Sequence, residues 1–171
     1  MKLTTRELTL CAVLTAMALA LSYLESFFPL SLAIPIPGIK LGLANIVTLS
    51  ALYALGPGQA ILILGARCLL GAVFAGNMSA LIFSVLGGVT AMVVMILLSR
   101  CGRLSIYGVS VGGAAAHSCG QVAAAVLTLG NTAPIYYLPV LLGVSLFTGA
   151  LTGLIAACLF RVLAHTALMK G

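Results

Sequence analysis

Apolar residues fill long, nearly unbroken runs of this chain, and polar residues fall mostly in the short gaps between them. Runs this long fit neither the two-residue alternation of a half-buried strand nor the single apolar stripe of a soluble amphipathic helix. A helix needs about 20 apolar residues to cross ~30 Å of hydrocarbon. Six runs meet or approach that length, at about 8–28, 39–55, 59–76, 79–98, 106–130 and 139–163. Pro29 ends the first, Gly56-Pro57-Gly58 closes the second, Ser79 is placed to cap the fourth, and Pro134 and Pro139 precede the sixth. The pattern predicts an all-α integral membrane protein: one six-transmembrane-helix bundle over residues 1–171. The first run is too long for a signal-peptide core and lacks a small-residue cleavage site, so it is expected to be retained.

Composition sharpens this reading. The chain is 63% hydrophobic and 6% charged, with eight basic and two acidic side chains and a mean hydropathy of +1.28. A soluble domain carries about 25% charged residues, so a free cytosolic enzyme is excluded. The net charge of +6 is no nucleic-acid footprint, because no basic patch lies on a water-facing surface large enough to track phosphates. Basic residues instead set orientation. Lys2 and Arg6 precede the first run, Arg100 and Arg103 fill the loop after the fourth, and Arg161 and Lys170 close the sixth. In a six-span chain these share one face, which predicts cytoplasmic N- and C-termini in a multi-pass protein of the cell (cytoplasmic, or inner) membrane. Lys40 falls on the other face.

Chemistry is constrained by what is missing. There is no Asp, and the acids are Glu7 and Glu25. Paired-carboxylate hydrolysis and Mg²⁺-held diphosphate chemistry need more hard oxygen ligands. His117 and His165 have no zinc-ligand spacing to a cysteine pair, and Cys11, Cys68, Cys101, Cys119 and Cys158 contain no C-x-x-C. No G-x-x-x-x-G-K-[ST] loop is present. We therefore expect no catalytic residues, no metal, no cofactor held by this chain and no nucleic-acid partner.

The informative residues are polar ones set within apolar runs. Arg67 lies near the middle of the third run, where a charge costs on the order of 2.5–3.5 kcal/mol on insertion scales. Either it pairs structurally with Glu25, or it meets an anionic part of a ligand with Lys40 as a second cation at the outer mouth. Asn45, and His117 with Gln121 one helical turn apart, admit two readings as well: interhelical polar contacts or a pocket wall. Tyr136 and Tyr137, between the last two runs, suit interfacial anchoring or a lid over a pocket. Ala12, Ala16 and Ala20 form a stripe on the first run, and Gly108/Gly112 and Gly149/Gly153 repeat small-x-x-x-small spacing. Such spacing lets helices approach closely. For the glycines internal packing is expected; the alanine stripe faces either the bundle or another subunit.

Six runs, a basic N-terminus, the alanine stripe and a proline-rich loop containing Pro29, Pro35 and Pro37 resemble the substrate-binding S components of energy-coupling factor (ECF) transporters. More narrowly, Ile36-Pro37-Gly38-Ile39-Lys40-Leu41-Gly42-Leu43-Ala44-Asn45 is similar to the signature of the Gx transporter family, also labelled heptaprenyl diphosphate synthase component I. The resemblance implies an S-component-like fold that captures a small molecule, such as a vitamin, from outside. It implies docking through Ala12, Ala16 and Ala20 on a transmembrane coupling protein joined to ATPases, so that ATP is used by partner subunits. It places a partly anionic substrate in the outer half of the bundle, near Lys40, Asn45, Arg67 and Glu25. Nickel and cobalt members use an N-terminal histidine, whereas Lys2 follows Met1 here, so a metal substrate is not expected. The alternatives are a noncatalytic membrane component associated with heptaprenyl diphosphate or quinone biosynthesis, and a stand-alone carrier.

Overall fold

The computed structural model describes residues 4–25, 27 and 40–165, with side chains described as far as Arg161. Lys2, Lys170, the loop prolines Pro29, Pro35 and Pro37, and Ile36–Ile39 of the signature lie outside the described residues. Among those described there are six α-helices and no strand. They are α1 (Thr5–Glu25), α2 (Asn45–Ala54), α3 (Pro57–Ala75), α4 (Met78–Arg100), α5 (Ile106–Leu129) and α6 (Leu138–His165), with a 3-10 turn at Ala133–Tyr137 before α6.

Local chemistry sets the helix ends. Thr4 and Glu7 form a reciprocal capping box at the start of α1: the Thr4 N–H donates to the Glu7 carboxylate (2.8 Å) and the Glu7 N–H to the Thr4 hydroxyl (3.3 Å). One of the two acids is thus a cap. Pro57 opens α3, where its missing N–H costs nothing. The fourth helix is capped not by Ser79 but by Asn77, whose side-chain oxygen accepts the Ser79 N–H at 2.8 Å. Helix α5 starts on the Ser105 hydroxyl and ends at Gly130, whose φ of 66° suits a left-handed cap.

Helices α1, α3 and α4 and the stretch Ala133–Arg161 are long and apolar enough to cross a membrane. The outward side chains of α4 (Ile82, Val85, Val89, Val93 and Leu97) are all apolar and recur every three or four residues. An aqueous protein does not expose such a stripe, and this is a multi-pass membrane protein. The two other predicted spans differ for separate reasons. Helix α5 has the length, 24 residues, but carries Ser110, His117, Ser118 and Gln121, all turned inward. Helix α2 has only 10 residues, ~15 Å of rise, about half the hydrocarbon thickness. It starts at Asn45 rather than Ile39, because Lys40–Leu43 is held non-helical by the contacts described below.

Short α2 is the hub. It touches each of the five other helices, which surround it in the order α1, α3, α4, α5, α6; among the described residues no contact joins α1 to α6. Asn45 through Leu52 are all buried. Polar groups tie the ring from inside: Ser110 to Thr152 (2.9 Å) and Ser118 to Ser145 (2.7 Å) link α5 and α6, and the Thr90 hydroxyl of α4 lies 3.0 Å from the Ala116 carbonyl of α5. Gly149 lies against Val111 and Gly153 against Tyr107, so α6 runs antiparallel to α5, and the ends of α1 and α3 line one cavity with the start of α4; Arg6, Arg100, Arg103 and Arg161 therefore belong to the opposite end of the bundle.

Gly149 and Gly153 pack internally. A Cβ on Gly149 would stand 2.7 Å from Val111 Cα, backbone that cannot move aside, whereas one on Gly143 would meet nothing within 4 Å. Gly149→Ala is therefore expected to destabilise the bundle by about 1–3 kcal/mol, while Gly143→Ala leaves it unchanged or slightly more stable. Thermal unfolding in detergent checks both, and equal midpoints would mean that α5 and α6 are not in close contact.

Candidate functional site

The C-terminal end of α1, the segment leading into α2, the middle of α3, the first turns of α4 and the middle of α5 converge in one half of the bundle. Glu25, the last residue of α1, is buried, and its carboxylate accepts the backbone N–H of Gly42. Gly42 has φ of 84°, and a Cβ there would lie 3.0 Å from both Asn45 Nδ2 and His117 Cδ2. Only glycine fits without strain.

Two residues earlier, the backbone of Lys40 is gripped by the Gln121 amide. Oriented by its hydrogen-bond network, that amide donates from Nε2 to the Lys40 carbonyl (3.0 Å). Its Oε1 accepts the Lys40 N–H and the His117 Nε2–H, each at 3.1 Å. Gln121 thus treats Lys40 as a neighbouring strand would, taking both its backbone groups. The contact also fixes the His117 proton on Nε2, leaving Nδ1 buried and without a hydrogen-bond partner. The segment Lys40–Gly42 is consequently a clamped strap, held by Glu25 on one side and by His117 and Gln121 on the other.

Arg67 stands next to this clamp, 6% exposed, with Nε and Nη2 buried and lacking any hydrogen-bond partner. The charges of Lys40 and Arg67 both act on Glu25, but the carboxylate's hydrogen bond goes to Gly42 and the guanidinium remains largely unfilled. The Glu25–Arg67 attraction is therefore through space, not a closed bidentate pair. Gly87 and Gly88 of α4 make the room. A Cβ on Gly87 would lie 2.8 Å from His117 Cε1, and one on Gly88 would lie 3.2 Å from Arg67 Nη2.

Arg67 forms part of the wall of a cavity of about 550 Å³ bounded by α1, α3 and α4, within the range of small-molecule sites. Lys40 and Arg67 are its cations, Ser22, Tyr23 and Ser84 its hydroxyls, and Leu19, Gly71 and Phe74 part of its apolar wall. With Glu25 behind it, the local formal charge is two positive against one negative. Such a site can hold an anionic group by charge-assisted hydrogen bonds.

The six residues singled out in the sequence all lie in this region, but in two layers. Lys40 and Arg67 line the cavity; Glu25, Asn45, His117 and Gln121 lie around the strap behind it. Sequence reasoning missed Gly42, Gly87 and Gly88 as space-makers, and Phe74 and Ser84 as wall residues. An adjacent glycine pair inside an apolar helix was the available signal. Ala12, Ala16 and Ala20 are all exposed, opposite the buried Cys11, Leu14, Thr15 and Ala18, and Ala20 also borders the cavity. Tyr136 is exposed and Tyr137 half-buried; neither lines the cavity.

Replacing Gly42 with alanine adds strain at positive φ and pushes on Asn45 and His117. The expected loss is about 1–3 kcal/mol of stability, seen as a lower thermal midpoint of the detergent-solubilised chain; an unchanged midpoint would mean the strap is not clamped as described.

A family model described as heptaprenyl diphosphate synthase component I matches residues 14–159, from the middle of α1 to near the end of α6. No curated protein and no solved structure matches the chain.

Proposed function

The chain belongs to the heptaprenyl diphosphate synthase component I family, and on that premise we propose that it is a substrate-binding, S-component-like subunit of an ATP-driven small-molecule transporter. The observation that carries this reading is Arg67, buried and with two nitrogens lacking a hydrogen-bond partner, in the wall of a cavity that Lys40 also lines. A buried cation without a partner is costly, and a ligand anion offsets that cost. In this reading α2 and α5 complete a six-helix bundle, the arginine-rich end is cytoplasmic, and the cavity opens toward the outer side of the cell membrane.

The chain has no phosphate loop of its own, so in this reading ATP is used by ATPase subunits reached through a transmembrane coupling protein. The exposed Ala12, Ala16 and Ala20 stripe supports α1 as the docking face, since small residues let another helix approach closely. The proposal includes no enzymatic activity and no metal or organic cofactor bound by this chain.

The family's description favours a second reading, a noncatalytic membrane component associated with heptaprenyl diphosphate or quinone biosynthesis. A chain without aspartate supplies no aspartate-rich Mg²⁺ site, so its part there would be as a partner of the catalyst. Affinity purification of the tagged full chain from native membranes separates the readings. The transporter reading expects an ATPase module that co-purifies with the parent chain and is lost on Ala16→Leu. Capture of a soluble prenyl synthase instead, sensitive to changes at Arg100 and Arg103 but not at Ala16, would favour the second.

A further inference from the structure

The cavity is chemically lopsided. Lys40 and Arg67 are the cations of its lining, and from Arg67 the wall continues along α3 past Gly71 to Phe74, over ~10 Å of helix rise. This stretch of α3 is apolar, and α4 lines the cavity with the small residues Ala80 and Ser84.

Its outer side is also unclosed by helix packing. Helices α1 and α4 flank α3, yet among the described residues they share no contact. The rim residues Tyr23 and Phe74 are 67% and 77% exposed, and they sit on helices long and apolar enough to cross the membrane. Exposed aromatics near the ends of such helices suit the bilayer and its interface.

A fully water-soluble anion would be satisfied by the cations and would leave this apolar wall against nothing. We propose that the cavity takes an amphiphile whose anionic group, a phosphate or carboxylate, sits at Lys40 and Arg67. Its apolar chain passes over Gly71 and leaves sideways between α1 and α4 into the bilayer. This rests on the reading of the cavity as the substrate site, and specifies the class of molecule that site accepts.

The test uses the full chain in nanodiscs of neutral phosphatidylcholine, with dodecyl phosphate, ethyl phosphate, inorganic phosphate and dodecanol as probes. Dodecyl phosphate affinity is referred to its concentration in the bilayer, so that partitioning alone does not count as binding. Arg67→Gln is expected to weaken dodecyl phosphate by about tenfold or more, the usual scale for losing a hydrogen bond to a charged group. Lys40→Gln, a milder change at a half-buried position, gives the same direction should Arg67→Gln fold poorly. Ala75→Leu and Ala80→Leu fill the part of the cavity away from Arg67 and change neither cation. They are expected to weaken dodecyl phosphate severalfold and leave ethyl phosphate unaffected.

If ethyl phosphate or inorganic phosphate binds as tightly as dodecyl phosphate, and the leucine variants affect none of them, the site takes a water-soluble anion. The amphiphile proposal is then overturned while the substrate-site reading stands. Dodecanol binding as tightly as dodecyl phosphate overturns the role of the cations. Failure of every anionic probe to bind overturns both the proposal and the reading beneath it.

Discussion

A guanidinium held away from water dominates the energetics of this bundle. Arg67 lies in the middle of a membrane-spanning helix, almost fully buried, where the low dielectric makes an unpaired charge expensive and any counter-charge strongly attractive. One carboxylate is available nearby, and its hydrogen bond goes to a backbone amide of the strap. The protein therefore keeps a partly uncompensated cation inside, beside a second cation and an open cavity. Other features of that half of the bundle follow from accommodating it. Gly88 leaves space for the guanidinium, Gly87 leaves space for the imidazole behind it, and the strap carrying Lys40 is locked from both sides.

The bundle has an apolar core crossed by a few buried polar groups, its outer face is apolar as well, and the short helix α2 is its centre. Because α2 is buried on every side, it works as a fixed post against which the five other helices pack. The strap is the direct continuation of its N-terminus, so displacing Lys40 means disturbing the segment that starts the hub. Polar pairs between α5 and α6, each worth ~0.6 kcal/mol in comparable settings, add register rather than bulk stability. The close approach at Gly149 and Gly153 does the same through shape. A rigid scaffold of this kind suits a site that must present two cations at a fixed spacing.

Much of this was readable from the residues alone. Long apolar runs identified the helices, and the rarity of polar groups within them picked out Arg67, Glu25, Asn45, His117 and Gln121 as residues needing a reason. The resemblance grouped Lys40, Asn45, Glu25 and Arg67 in one half of the bundle, whereas His117 and Gln121 stayed open between interhelical contacts and a pocket wall, because periodicity does not say which residues face a cavity and which face each other. That division depends on where the Lys40–Gly42 backbone runs, and the backbone path turns on one positive-φ glycine that looks like any other in a chain with 19 glycines. The same strap explains why α2 is shorter than its apolar run: residues 40–43 are apolar enough for a helix, but their amides are spent on side chains from α1 and α5. At the start of α4 the sequence pointed to Ser79 as the cap, but the side-chain oxygen that takes the free amide belongs to Asn77. Exposure of the alanine stripe could not be read from spacing, which is the same for an inward and an outward face.

Native mass spectrometry of the full chain, released gently from its own membrane with no ligand added, tests the anion-receptor account most directly. The account expects one small molecule bearing an anionic group, bound one to one and absent from the Arg67→Gln protein of equal folded yield. A parent chain that emerges empty, or the same adduct on both proteins, would contradict it.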